Sequence, residues 1–132
     1  MSAQKRSVQV EGIAHKAPIP LAARVGPLLC SSGIGGKDAA GNLPDDPAEQ
    51  TRLAFENLET VLAAAGATLA DVAKLTIYVR DDGLRAPINE QWQRCFPDAA
   101  DRPARHILVY ALQHGMAIQL EFIAYVQDRA SS

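Results

Sequence analysis

Two positions in this 132-residue chain have side chains suited to chemistry in places where such side chains are unusual. Arg105 stands in DRPARHILVY, residues 101–110, at the mouth of a run that goes on through Ile107, Leu108 and Val109 into an interior. A guanidinium there is either a solvated edge charge paired with an acid such as Asp101, or an anion hook. Its planar fork of donors matches a carboxylate in two-point fashion. Glu121 sits mid-run between Leu120 and Phe122. A carboxylate among such neighbours is solvated on an open sheet face or shielded by another subunit. The histidines add less. His106 falls on the opposite strand face to Arg105 by the period of two and reads as a core or interface residue. His114 precedes Gly115, a turn glycine, and is expected exposed near a cleft rim. His15 carries no signal.

Other chemistries are excluded by pattern. Residues 33–45, GIGGKDAAGNLPD, contain four glycines. Lys37 is followed by Asp38 rather than Ser or Thr, and the dinucleotide glycine spacing is absent, so a mobile connection is expected rather than a phosphate cradle. Cys30 and Cys95 are far apart with no Cys-x-x-Cys or Cys/His cluster. They read as reduced core thiols, and neither a metal site nor an organic cofactor is expected.

The elements that must carry these residues follow from periodicity. Residues 7–13 (SVQVEGI) alternate as a first strand, residues 17–21, with two prolines, are extended or looping, and residues 24–32 form a second strand. Asp46 caps a helix with Pro47 at its first position and Glu49 completing a capping box. Leu53, Ala54, Leu58, Val61, Leu62 and Ala65 form its apolar stripe, and Gly66 ends it. Residues 74–80 (KLTIYVR) make a β-branched strand. Pro87 opens a second helix with Ile88, Trp92, Cys95 and Phe96 on one side, and Pro97 stops it. Residues 104–112 and 117–126 are two further strands, joined as a hairpin around Gln113-His114-Gly115. The order β-β-α-β-α-β-β predicts an α+β domain: one mixed sheet with both helices on one face. In the last strand Ile118, Leu120, Phe122 and Ala124 point to that core. Gln119, Glu121, Ile123 and Tyr125 point to the uncovered face, which invites self-association.

Totals agree with one domain over residues 1–132, its core at about 7–127. Apolar residues make up 48% and aromatics only 5%, so the core is aliphatic. Thirteen basic against fifteen acidic side chains give a net charge of −2, and no basic run is present, so neither nucleic acid nor an anionic membrane is an expected partner. With no signal segment and no apolar run of bilayer length, a cytoplasmic protein is expected.

Several stretches taken in order resemble one family. They are Ser32-Gly33, QTRLAFENLETVLAAAGATLADVAKLTIYV, Asn89, Pro103-Ala104-Arg105 and the Ile-x-Leu-Glu-x-Ile-Ala of residues 118–124. Over roughly residues 12–127 this pattern looks like the Rid family, also called YjgF or L-PSP. The resemblance implies a chorismate-mutase-like fold and a homotrimer whose sheets form an inner barrel with three clefts between subunits. It also implies hydrolysis of reactive enamines and imines, such as 2-aminoacrylate, 2-iminopropanoate and 2-iminobutanoate, to 2-oxo acids and ammonia, with no cofactor. By position, Arg105 takes the place of the carboxylate-binding arginine. Ser32, Gly33 and Asn89 match substrate-contacting positions.

The chain departs from the family's pattern in three places. Ala17-Pro18-Ile19 stands where Gly-Pro-Tyr is usual, which puts Ile19 at the substrate wall. His106-Ile107 replaces a Ser-Cys pair and puts Ile107 beside the arginine. Gln119 replaces the first glutamate of the last-strand signature. A neutral amide orients a water but accepts no proton, and Glu121 lies two residues on, facing the same way. Two other readings stay open: a pathway-specific deaminase of an aminomuconate-like acid, and a non-catalytic trimer that binds small carboxylates or acts as a chaperone. The family's older endoribonuclease name finds little physical support, since the chain has no basic groove and no evident histidine pair for phosphodiester cleavage.

Overall fold

The turn chemistry of Gly26 and Pro27 sets the first departure from expectation. In the computed structural model, which describes residues 5–127, the run 24–32 is two strands rather than one. β2 (Ala22–Val25) and β3 (Leu28–Ser31) pair antiparallel across a two-residue turn. Gly26 has φ +61°, the left-handed region such hairpins require, and Pro27 has no N–H to give to a ladder. The first strand, β1 (Ser7–Val8), is shorter than the alternation predicts. Residues 11–13 turn away from the sheet, and Gly12 has φ +93°.

Helix α1 (Pro47–Ala64) has local causes at both ends. Asp46 accepts from the Ala48 N–H at 3.1 Å. Glu49 does not complete the expected capping box; Arg52 holds it in an exposed pair through Nε (3.1 Å) and Nη2. At the far end the Gly66 N–H reaches the Ala63 carbonyl and the Ala67 N–H the Leu62 carbonyl, with Gly66 at φ +76°. That is the paired closure a left-handed glycine allows. Ala54, Phe55, Leu58, Val61 and Leu62 are buried along its inner side.

The sheet has six strands in the order β1-β2-β3-β6-β4-β5, with β4 at Val72–Val79, β5 at Ala104–Val109 and β6 at Ile118–Tyr125. Helix α2 (Arg85–Cys95), which begins two residues before Pro87, crosses from β4 to the parallel β5. The expected hairpin of the last two strands is overturned: β6 lies on the other side of β4 and runs antiparallel to it. The end of β4 is bonded from both sides, since the Tyr110 N–H donates to the Val79 carbonyl and the Arg80 N–H to the Ala117 carbonyl, each at 2.9 Å. His114 (φ +60°) and Gly115 (φ +77°) do turn the chain, but within a crossing over the strand end.

Leu75, Ile77 and Val79 of β4 and Ile118, Leu120, Phe122 and Ala124 of β6 are buried under the helices, so the sheet is mixed and covered on one face, as expected. On the other face Val25, Leu28, Ile123 and Tyr125 are 47–61% exposed and adjacent in the ladder, Leu28 opposite Tyr125 and Val25 opposite Leu28.

Gln50, 1% exposed on α1, fastens two loops. Its Nε2 donates to the carbonyls of Pro44 (2.8 Å) and Gly115 (3.1 Å), and its Oε1 accepts from the Ala117 N–H (2.8 Å). Gln50→Leu leaves all three groups without this partner, the Ala117 N–H in a buried setting and the two carbonyls in part-buried ones. A urea unfolding curve should register a loss of about 2–4 kcal/mol.

Candidate functional site

Arg105 is the second residue of β5 and lies opposite Leu75 in a parallel ladder, so it shares the helix-covered face. Its Nη1 donates to Asn89 Oδ1 on α2 at 2.8 Å, and its guanidinium lies 5.0 Å from the centre of the Trp92 ring. A neutral amide and an aromatic face orient a cation without neutralising it. Asp101 is not its partner, and no carboxylate among the described residues pairs with it. Burial pushes the Arg105 pKa down from the ordinary guanidinium value, and the nearby Arg85 charge pushes the same way. Both effects mark a positive charge short of a counter-ion. Ile107, half-buried two residues on, shares this face. His106 is exposed on the opposite one rather than in the core.

Ile19, Gly33 and Gln119 come together elsewhere, in the wall of a cavity of about 530 Å³, within the size range of small-ligand sites. Gln119 folds directly over Gly33: a Cβ added there would lie 1.5 Å from Gln119 Nε2. Ser32, half-buried just before it, is held through its N–H to the Leu21 carbonyl at 2.9 Å. The loop that follows is pinned, contrary to the mobile connection expected. Asn57 Nδ2 donates to the carbonyls of Gly35 (2.9 Å) and Lys37 (2.8 Å), and Gly36 rests so close to α1 that a Cβ would meet the Gln50 carbonyl oxygen at 2.1 Å. Gly33→Val drives the Gln119 amide out of its place. If Gln119 orients the reacting water, turnover should fall about a hundredfold while the melting temperature moves little, as steady-state kinetics and calorimetry on one preparation would read.

Glu121 belongs to neither group. It lies mid-way along the uncovered face, where the Tyr78 hydroxyl donates to its Oε1 at 2.9 Å. That bond, followed by burial, raises the Tyr78 pKa. Cys30 is half-buried on the uncovered face, opposite Ile123, rather than in the core. Cys95 donates to Glu59 (3.4 Å), and burial pushes its thiol up to about 12, far from the thiolate form at neutral pH. Among the described residues no group of three or more His, Cys, Asp or Glu could hold a metal ion, and no helix is long and apolar enough to cross a membrane.

The sequence-derived residues therefore form two groups. Arg105, Asn89 and Ile107 meet at the β5 edge, whereas Gln119 is on β6 with β4 between. Two strand spacings, about 10 Å, and opposite faces of the sheet separate Arg105 from Gln119. Several positioning residues escape sequence reasoning: Trp92 as the platform under Arg105, Gln50 and Asn57 as loop anchors, and Lys37 and His15 as cavity wall. Gln50 and Asn57 did leave a signal, two amides seven residues apart on the inward side of an apolar helix.

Comparison with known proteins bears on this geometry. Residues 13–126 match the family described as Endoribonuclease L-PSP. A RutC family protein of Pyrococcus abyssi is 34% identical over 123 residues, covering 84% of this chain and 92% of that one. TdcF of Escherichia coli K12, whose name provisionally makes it a reactive intermediate deaminase, is 33% identical over 103 residues, 76% and 80% of the two chains. The crystal structure of RidA from an Antarctic Psychrobacter superposes with a TM-score of 0.83 at 26% identity, covering 92% of this chain and all of that one.

Proposed function

This chain belongs to the Endoribonuclease L-PSP family, the Rid or YjgF family that its sequence resembles, and from that premise we propose that it hydrolyses enamines and imines of amino acids to 2-oxo acids and ammonia. The observation that carries the proposal is Arg105: a half-buried guanidinium, aimed by Asn89 and Trp92, with no carboxylate partner among the described residues. Asn89 occupies one of the five N–H donors a guanidinium carries, which leaves a fork for a substrate carboxylate.

In this reading the active unit is a cytoplasmic homotrimer. The uncovered sheet faces meet, and the Arg105 edge of one copy closes over the Gly33–Gln119 cavity of the next. Arg105 clamps the carboxylate beside Asn89 and Ile107. Ser32 and the backbone at Gly33 orient the C=N carbon, and Ile19 forms the wall. Gln119 holds the water, with Glu121 on the same face as the alternative holder. Water adds to the imine carbon, its proton passes to nitrogen, and the carbinolamine collapses to a 2-oxo acid and ammonia. An imine carbon is already electrophilic, so positioning supplies much of the acceleration and no strong base is required.

The test is the rate of ammonia release from 2-iminobutanoate and 2-iminopropanoate, generated in the cuvette by an amino-acid oxidase. The proposal expects a clear acceleration over buffer. A rate equal to buffer on both, with 2-oxobutyrate still raising the melting temperature, would favour the second reading, a trimer that binds small carboxylates without turnover. The neutral Gln119 at the water position is what keeps that reading in play.

A further inference from the structure

We propose that the substrate of this cleft carries a second anionic group at the far end of its carbon chain, an inference that rests on the deaminase reading above. The reason is the cavity beyond Gly33 and Gln119. Four basic side chains line it, Lys16, Lys37, His15 and His114, and no carboxylate does. Neither lysine has an ion-pair partner among the described residues. Asp38, the acid nearest in sequence, is turned into its own loop, where its Oδ1 accepts from the N–H groups of Ala40 (3.0 Å) and Asn42 (2.9 Å).

The backbone that carries Lys37 and His114 is held. The Asn57 amide fixes the carbonyls on either side of Gly36 and so sets where Lys37 leaves the chain. His114 has φ +60°, a conformation uncommon outside glycine, and the next carbonyl is held by the buried Gln50. His15 brings a ring nitrogen, Nε2, that is shut off from solvent and has no hydrogen-bond partner. A buried polar atom of this kind is costly without a partner; sealed from the cavity as well as from bulk solvent, it offers a ligand no contact as it stands. Apolar groups from Ile13, Leu43 and Met116 complete the wall and suit a methylene chain between two charged ends. Ile19, where the family pattern has tyrosine, leaves this space open to a longer substrate. A three-carbon imino acid would fill little of it.

The chemical class is thus a 2-imino or 2-enamino acid ending in a carboxylate or a phosphate-like group. Lysines act as point charges, so both ends remain candidates. Calorimetric titration of the stable 2-oxo products separates the claims. 2-Oxohexanoate and 2-oxoadipate have the same chain length and differ in the terminal charge, and 2-oxo-4-phosphonobutyrate tests the phosphonate end. We expect at least one dianion to bind about tenfold or more tighter than 2-oxohexanoate, the worth of one charge-assisted hydrogen bond. The Lys16→Gln/Lys37→Gln double variant should bring it down to the level of 2-oxohexanoate, and Arg105→Ala should weaken all three. Equal binding of the three by the wild-type protein, or a preference that survives the double variant, overturns the second-anion subsite. If all three bind equally but depend on Arg105, the deaminase reading stands without it. If none binds, or Arg105→Ala changes nothing, both fall.

Discussion

Arg105→Ala lowers kcat/KM on 2-iminobutanoate by roughly 30- to 5,000-fold, the equivalent of about 2–5 kcal/mol for truncating one partner of a desolvated charge pair. The loss should appear in binding as well as turnover if Arg105 clamps the carboxylate in the ground state and keeps the C=N carbon in place afterwards. Arg105→Lys is the sharper control. It keeps the charge but removes the planar fork and the stacking on Trp92, so most of the activity stays lost. Both variants should unfold near the wild-type temperature, since a half-buried edge cation held by one neutral amide contributes little to the fold. If Arg105→Ala retains the wild-type rate, the proposed chemistry has no anchor.

Ile123→Glu abolishes activity, by more than about a thousandfold, while leaving each chain folded. Ile123 is 47% exposed in the single chain and lies within the apolar surface formed with Val25, Leu28 and Tyr125. A carboxylate there costs the isolated chain little. Between subunits it would be repeated around the threefold axis and desolvated, so assembly fails. Two half-sites on separate molecules then lose the positioning that close approach provides. Light scattering should report monomers for the variant and the proposed trimer for the wild type, with an unchanged circular dichroism spectrum. A trimeric, inactive Ile123→Glu would separate the apolar face from assembly and contradict this part of the account.

What the sequence discloses depends on how local the cause is. Helix α1 is legible because Asp46, Pro47, the apolar stripe and Gly66 each act within one turn of themselves. The alternation of β6 is legible too: Ile118, Leu120, Phe122 and Ala124 are buried and Ile123 and Tyr125 are not. The Gly26-Pro27 turn was visible in the residues but hidden inside a short apolar run. Partner choice was not legible. Gly115 signals a turn, yet it does not say that β4 rather than β5 lies beside β6, because that choice is made by the hydrogen bonds at Val79, Arg80, Tyr110 and Ala117. The site divides the same way. The role proposed for Arg105 rests on its side chain and its place in Pro-Ala-Arg. Its distance from Gln119 follows only from strand order. His15 gave no signal because its place in the cavity wall is a feature of packing alone.

The central claim is that each cleft takes its cation from one copy and its Gly33–Gln119 wall from another. Mixing two crippled proteins tests it directly. Arg105→Ala and Gly33→Val, each nearly inactive alone, are unfolded, combined in equal amounts and refolded together. Random assembly leaves about one cleft in four with both halves intact, so the mixture should recover about a quarter of wild-type activity per chain. A refolded, trimeric mixture no more active than its two components would mean that the halves are not shared between copies.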